Sequence, residues 1–177
     1  MHPSDWLVMA DCVRDGAAHS DAIVMLHGTD TMAWTASALS YLLNDVSVPV
    51  VLTGSMLPAE APGSDASGNI YAAFHFALQL AMYKRRGVSV AFAGLLLHGP
   101  RITKIDSRRK NAFVGVDYPF LGEMRGPGDP QDCLAHGPGP GPIDRAALGA
   151  VPGGRDERRP RPDLYGGAYS YHDHHPR

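Results

Sequence analysis

The sequence predicts an α/β fold, a partial parallel sheet with flanking helices, followed by a disordered tail. Three observations predict it. Apolar runs of strand length alternate with amphipathic stretches of helix length through residues 1–121. Polar segments follow the apolar runs directly, at the carboxyl ends where open α/β sheets bind ligands. The composition then breaks: 9 of the 15 prolines and 11 of the 20 glycines fall in residues 122–177, while all three lysines precede them.

The elements follow in order. "SDWLVMADCVRDG" reads as a helix with Ser4 as N-cap and Trp6, Leu7 and Met9 among its apolar positions. "AIVMLHG" is a buried-strand run. "TMAWTASALSYLLND" is a helix with Leu39, Leu42 and Leu43 toward the core, and "VPVVLTG" is the next strand. "SDASGNIYAAFHFALQLAMYKRRG" is a second long helix. Ile70, Ala73, Phe74, Ala77 and Leu78 give its apolar period, Lys84, Arg85 and Arg86 complement its dipole, and Gly87 is expected at C′. "VSVAFAGLLLHG" supplies a third strand. Such alternation implies a parallel sheet with right-handed crossovers.

The segment from Gly122 onward lacks the apolar surface to offset its ordering entropy, which predicts disorder. Its Gly, Pro, Ala, Arg and His bias is also what a GC-rich gene yields when read out of frame. A formal charge of -2 on 177 residues gives no electrostatic case for nucleic acid or an anionic membrane. Cys12 and Cys133 suggest neither a disulfide framework nor a metal knuckle, and no apolar run is long enough to span a membrane. The N-terminal residues lack the pattern of a signal peptide, so a cytoplasmic protein is expected. "HDHH" (172–175) in the tail reads as incidental rather than as a metal site, and His27 and His98 as packing residues.

Three polar segments would line one crevice: "HGTDT", "TGSMLP" and "HGPRITK", each following its strand. Thr29 and Asp30 stand where a helix cap stands, and one cap needs only one side-chain oxygen. Lys104 adds a second reading. A threonine hydroxyl is a poor nucleophile without a base, and a lysine partly desolvated in a crevice can accept its proton. A neighbouring carboxylate would orient that lysine or capture a substrate ammonium.

"VMLHGTDTMAWTASALSYLL", "VPVVLTGSMLPAEAPGSDASGN" and "RITK" closely resemble the L-asparaginase family, amidohydrolases that release aspartate and ammonia from asparagine. The resemblance runs from Met1 to Leu121 and implies the family's Rossmann- or flavodoxin-like N-terminal domain, in truncated form. It implies that Thr29 is the family's second active-site threonine, that Asp30 holds the substrate's α-amino group, and that Lys104 activates the threonine. Ser55 would lie near the side-chain amide, with Gly28 and Met56 also in the substrate-binding set. It further implies a homotetramer, no metal or organic cofactor, and L-asparagine or L-glutamine as the small-molecule substrate.

The family's first motif, a Thr-Gly-Gly-Thr segment carrying the usual nucleophile, has no counterpart in this sequence, and Met1 is expected to match an interior family position. Nor does the tail resemble the family's smaller C-terminal domain. Three readings stay open: an asparaginase using Thr29 as nucleophile, an inactive asparaginase-derived fragment, and an asparaginase-like subunit of a tRNA-dependent amidotransferase.

Overall fold

The computed structural model describes residues 1–124 and 133–134 of the chain. Helix α1 (Pro3–Ala17) is capped by His2, not by Ser4. Pro3 takes the first helical position, where its missing N–H would be unpaired anyway, and the Asp5 carboxylate accepts the His2 backbone N–H at 2.7 Å. Ser4 therefore lies inside the first turn. Met9, Ala10 and Val13 turn toward the core and Leu7 faces out.

Strand β1 (Ile23–Leu26), helix α2 (Thr29–Leu42), strand β2 (Pro49–Thr53), helix α3 (Ala66–Met82) and strand β3 (Gly87–Phe92) alternate as the periodicity predicts. The three strands are parallel neighbours, with Ile23 opposite Val50 and Val50 opposite Val88. Every residue of β2 is buried, so its apolar run has no alternation to show.

The expected third strand is instead a hairpin. After β3 the chain reverses at Ala93 (φ 50°) and Gly94 (φ 78°) and returns as β4 (Leu95–His98), antiparallel to β3. Two successive left-handed residues are what a tight hairpin turn requires. A 3-10 turn (Gly99–Arg101) leads into β5 (Ile102–Lys104), which pairs antiparallel with β6 (Phe113–Gly115) as a separate ribbon. Short strands β7 (Gly122–Glu123) and β8 (Cys133–Leu134) add antiparallel partners beyond β4. The main sheet has the order β1-β2-β3-β4-β7-β8 and is mixed.

The crossovers also depart from the expectation. Met32, Ala36 and Leu39 of α2 pack with Val50, Leu52, Val88 and Val90 on one face of the sheet. Ala72, Ala73, Phe76, Ala77 and Leu80 of α3 pack with Val51 and Ala91 on the other. Both connections step one strand in the same direction, from β1 to β2 and from β2 to β3. Helices on opposite faces then require crossovers of opposite hand, so one of the two is left-handed against the strong general preference. Because β2 is apolar on both sides, each helix finds its own face to cover.

Helix α3 is rotated from its expected register. Ala73 and Ala77 are buried, but Phe74 is 56 % and Leu78 63 % exposed, and the core stripe runs through Asn69, Ala72, Phe76 and Leu80. The helix carries two apolar stripes, and only contact with the sheet selects between them. Its C-terminus closes on Lys84 rather than Gly87. Lys84 adopts φ 51° and donates its N–H to Ala81, while Arg85 N–H reaches back to Leu80. That is a Schellman closure with a lysine in the position glycine favours. Gly87 opens β3 instead.

Among the described residues no helix is long and apolar enough to cross a membrane. The Gly/Pro-rich tail and its His-rich end fall outside the described residues, apart from 122–124 and 133–134.

Candidate active site

Because β1 and β2 are parallel and in register, with Leu26 opposite Thr53, the segments that follow them leave the same edge of the sheet side by side. The His27 N–H donates to the Thr53 carbonyl at 2.8 Å and carries the pairing one residue further. Gly54 follows, and a Cβ there would collide with the carbonyl of His27. Only glycine lets the two segments approach this closely.

The α2 cap is Gly28, in extended conformation and without a side-chain cap bond. Thr29 and Asp30 are therefore the first two helical residues, and neither side chain is used as a cap. An aspartate in the first turn also sits favourably against the helix dipole.

Lys104 reaches these residues by a route other than the expected one. Strand β4 is antiparallel, so it carries "HGPRITK" to the far end of β3, where His98 lies opposite Ser89. The 3-10 turn then packs under α2. A Cβ on Gly99 would lie 2.6 Å from the Val88 carbonyl and 3.1 Å from Ser40 Oγ. Strand β5 runs back along α2 to its N-terminus. Its last residue, Lys104, pairs with Phe113, and the Phe113 ring meets that of Phe92 edge to face at 4.9 Å. An aromatic contact at the end of β3 thus fixes the ribbon that presents the lysine.

Lys104 Nζ donates to Thr29 Oγ1 at 2.9 Å and to Asp30 Oδ1 at 2.7 Å. The lysine side chain is 14 % exposed and the aspartate 92 % exposed, so one partner faces the protein and the other solvent. The hydrogen bond from Lys104, and then its charge, hold the Asp30 carboxyl below its ordinary range. Asp30 is thereby kept anionic, open to water and free to accept from a second cation.

The remaining expected residues divide. Ser55 Oγ donates to the Leu57 carbonyl at 2.7 Å, which leaves its oxygen only as an acceptor for any other group. Met56 gives its backbone N–H to Asp65, and its side chain packs against the core. Gly28 is exposed beside Thr29. His27 is more than a packing residue. Its Nδ1 bonds the Gly28 carbonyl at 2.7 Å, and its Nε2 lies 3.0 Å from Thr35 Oγ1, which accepts from Trp6 Nε1 at 3.0 Å. A carbonyl can only accept, so Nδ1 carries a proton and donates to Gly28, and Thr35 Oγ1 also lies 3.3 Å from Met1 Sδ. His98 stands away from this edge, its ring 4.8 Å from that of Tyr118 and tilted 33° to it, with its pKa lowered by burial and then by Arg101. Among the described residues no group of three or more His, Cys, Asp or Glu could hold a metal ion.

Sequence reading missed Asp65 and Asn69. Their signal was present as a polar residue inside the apolar stripe of α3, four residues after a helix-initiating aspartate.

The sequence profile described as "Asparaginase, N-terminal" matches residues 1–129. An L-asparaginase of Thermococcus kodakarensis is 40% identical over 126 residues, 71% of this chain and 37% of that protein. A glutamyl-tRNA(Gln) amidotransferase component of Thermoplasma volcanium is 34% identical over 130 residues, 70% of this chain and 31% of that protein. The solved thermostable L-asparaginase of Thermococcus kodakarensis superposes with a TM-score of 0.66 at 36% identity, covering 80% of this chain and 41% of that one. A probable cytoplasmic L-asparaginase from Campylobacter jejuni gives 0.62 at 32% identity, covering 70% and 39%. The chain thus spans well under half the length of the relatives it matches.

Proposed function

This chain belongs to the asparaginase family, and from that membership we propose that its Thr29–Asp30–Lys104 site serves the hydrolysis of L-asparagine to L-aspartate and ammonia. One observation carries the reading: a lysine 75 residues away in sequence donates both to Thr29 Oγ1 and to Asp30. A helix cap needs neither contact.

In this proposal the exposed Asp30 carboxylate takes the substrate's α-ammonium by a charge-assisted hydrogen bond. Lys104, an ammonium in the resting site, first gives one proton to water; the freed amine then accepts the Thr29 hydroxyl proton, and Oγ1 attacks the side-chain amide carbon. The proton passes to the departing nitrogen, ammonia leaves, and an aspartyl ester of Thr29 remains. Water cleaves that ester, restoring the hydroxyl and releasing aspartate. Gly28, Ser55 and Met56 form the wall on the substrate's amide side. On this reading the chain works alone, and Thr29 then takes the nucleophile's role. A cytoplasmic homo-oligomer, tetrameric as in the complete family form, is part of the same proposal, and sedimentation velocity measures the assembly.

The similarity to a tRNA-dependent amidotransferase supports a second reading, in which the ammonia is handed to a partner. Ammonia release measured with L-asparagine and with L-glutamine tests both. The expected result is turnover of asparagine that is lost in Thr29→Ala and in Lys104→Met. Activity that persists in either variant defeats the assignment, and a preference for glutamine moves the reading to the amidotransferase setting. No release from either amide leaves the chain a non-catalytic member of its family.

A further inference from the structure

We propose that Asp65 and Asn69 are positioning residues for this site, clamping the segment after β2 to the start of α3 and to the β3–β4 turn. The inference takes from the proposed function only the identity of the ligand; the clamp itself stands on contacts within the chain.

Asp65 is the N-cap residue of α3, yet its carboxylate does not cap that helix. It accepts the Met56 N–H at 3.1 and 3.0 Å, the Leu57 N–H at 3.1 Å, and Asn69 Nδ2 at 3.0 Å. Ser64 Oγ, accepting the Ala66 N–H at 3.1 Å, serves the helix end in its place. Asn69, 3 % exposed, uses its amide fully. Nδ2 also donates to the Gly54 carbonyl at 2.9 Å, and Oδ1 accepts the Ala93 N–H at 2.9 Å. Two acceptors on one side and a donor on the other leave this amide a single orientation.

The pair thus ties two chain segments to one helix end. Gly54 and Met56 belong to the wall segment, and Ala93 is the first of the two left-handed residues of the hairpin. The fixed wall in turn bears on the Thr29 segment, because Gly54 abuts the His27 carbonyl and Thr53 accepts the His27 N–H. A buried asparagine inside an apolar helix stripe, and a cap residue diverted to a loop eight residues upstream, are costly choices for the helix alone. Both place the two site segments against each other.

Backbone amide exchange by NMR on the whole chain tests this. In the wild type, Met56 and Leu57 should be protected comparably with Leu52 of β2. Lack of protection there overturns the clamp without any variant. In Asp65→Asn, exchange at Met56 and Leu57 should rise about tenfold or more, with a smaller rise at His27 and none at Val51. Ser64→Ala loosens the helix end and removes the Ser64 Oγ bond to the Leu57 carbonyl (3.3 Å) but keeps the carboxylate that accepts the two N–H groups, so it should leave Met56 and Leu57 protected. Unchanged exchange in Asp65→Asn overturns the inference.

Titration with L-aspartate then separates the two readings. Affinity should fall about tenfold in Asp65→Asn and stay within about twofold in Ser64→Ala. Loosened segments with undiminished affinity overturn the positioning role. No binding by the wild type, with the exchange pattern as expected, removes the proposed function and leaves the clamp supported.

Discussion

Lys104 holds two acceptors of different character with one ammonium: a hydroxyl on the protein side and an exposed carboxylate on the solvent side. Thr29 and Asp30 can serve it because Gly28 takes the cap position and leaves both side chains free. The lowered Asp30 pKa gives a direct check. A carboxyl lowered in the folded state contributes stability that is present above its ordinary value and lost as the pH falls through the folded value. In a carboxyl-carbon NMR titration, Asp30 should therefore titrate below the ordinary carboxylate range and return upward in Lys104→Met. An unshifted Asp30 in the wild type would show that the contact does not persist in solution. The residue types at this site were legible in "HGTDT" and "RITK". The clamp was not, because Asp65 has the appearance of an ordinary N-cap and Asn69 that of a lapse in an apolar stripe.

Helix α3 shows how an element can be found correctly and oriented wrongly. Its length and period were plain, yet Phe74 and Leu78 form one apolar stripe while Phe76 and Leu80 form another. The sequence does not rank the two. Phe76 packs with Val51, Ala91 and Leu96, so Phe76→Ala should cost about 3–5 kcal/mol in urea unfolding, whereas Phe74→Glu should stay within about 0.5 kcal/mol. The reverse order would restore the register expected from periodicity alone. The Schellman closure at Lys84 carries a second prediction. A non-glycine residue held at φ 51° is strained, so Lys84→Gly should raise stability by about 0.5–1 kcal/mol with an unchanged m-value. Destabilisation would mean that the lysine side chain contributes more than its backbone costs.

At the scale of the whole molecule the sheet separates two apolar layers, α1, α2 and the β5–β6 ribbon on one face and α3 on the other. Changes in different layers should then be independent. Leu39→Val and Leu80→Val, each removing one methylene, should cost about 1 kcal/mol apiece and add to within about 0.5 kcal/mol. Coupling above about 1 kcal/mol would mean that the layers act as one core. By itself the sequence determined the α/β class, the boundaries of β1, α2, β2 and α3 to within a few residues, and the residue types of the site, because all of these are encoded in local period and short motifs. The tertiary structure alone decided the hairpin at Ala93–Gly94, the opposite hands of the two crossovers, the face α3 buries, and the path of Lys104 along α2. Each of these depends on which surfaces meet across long sequence separations, and a local pattern is the same whichever face of the sheet it comes to cover.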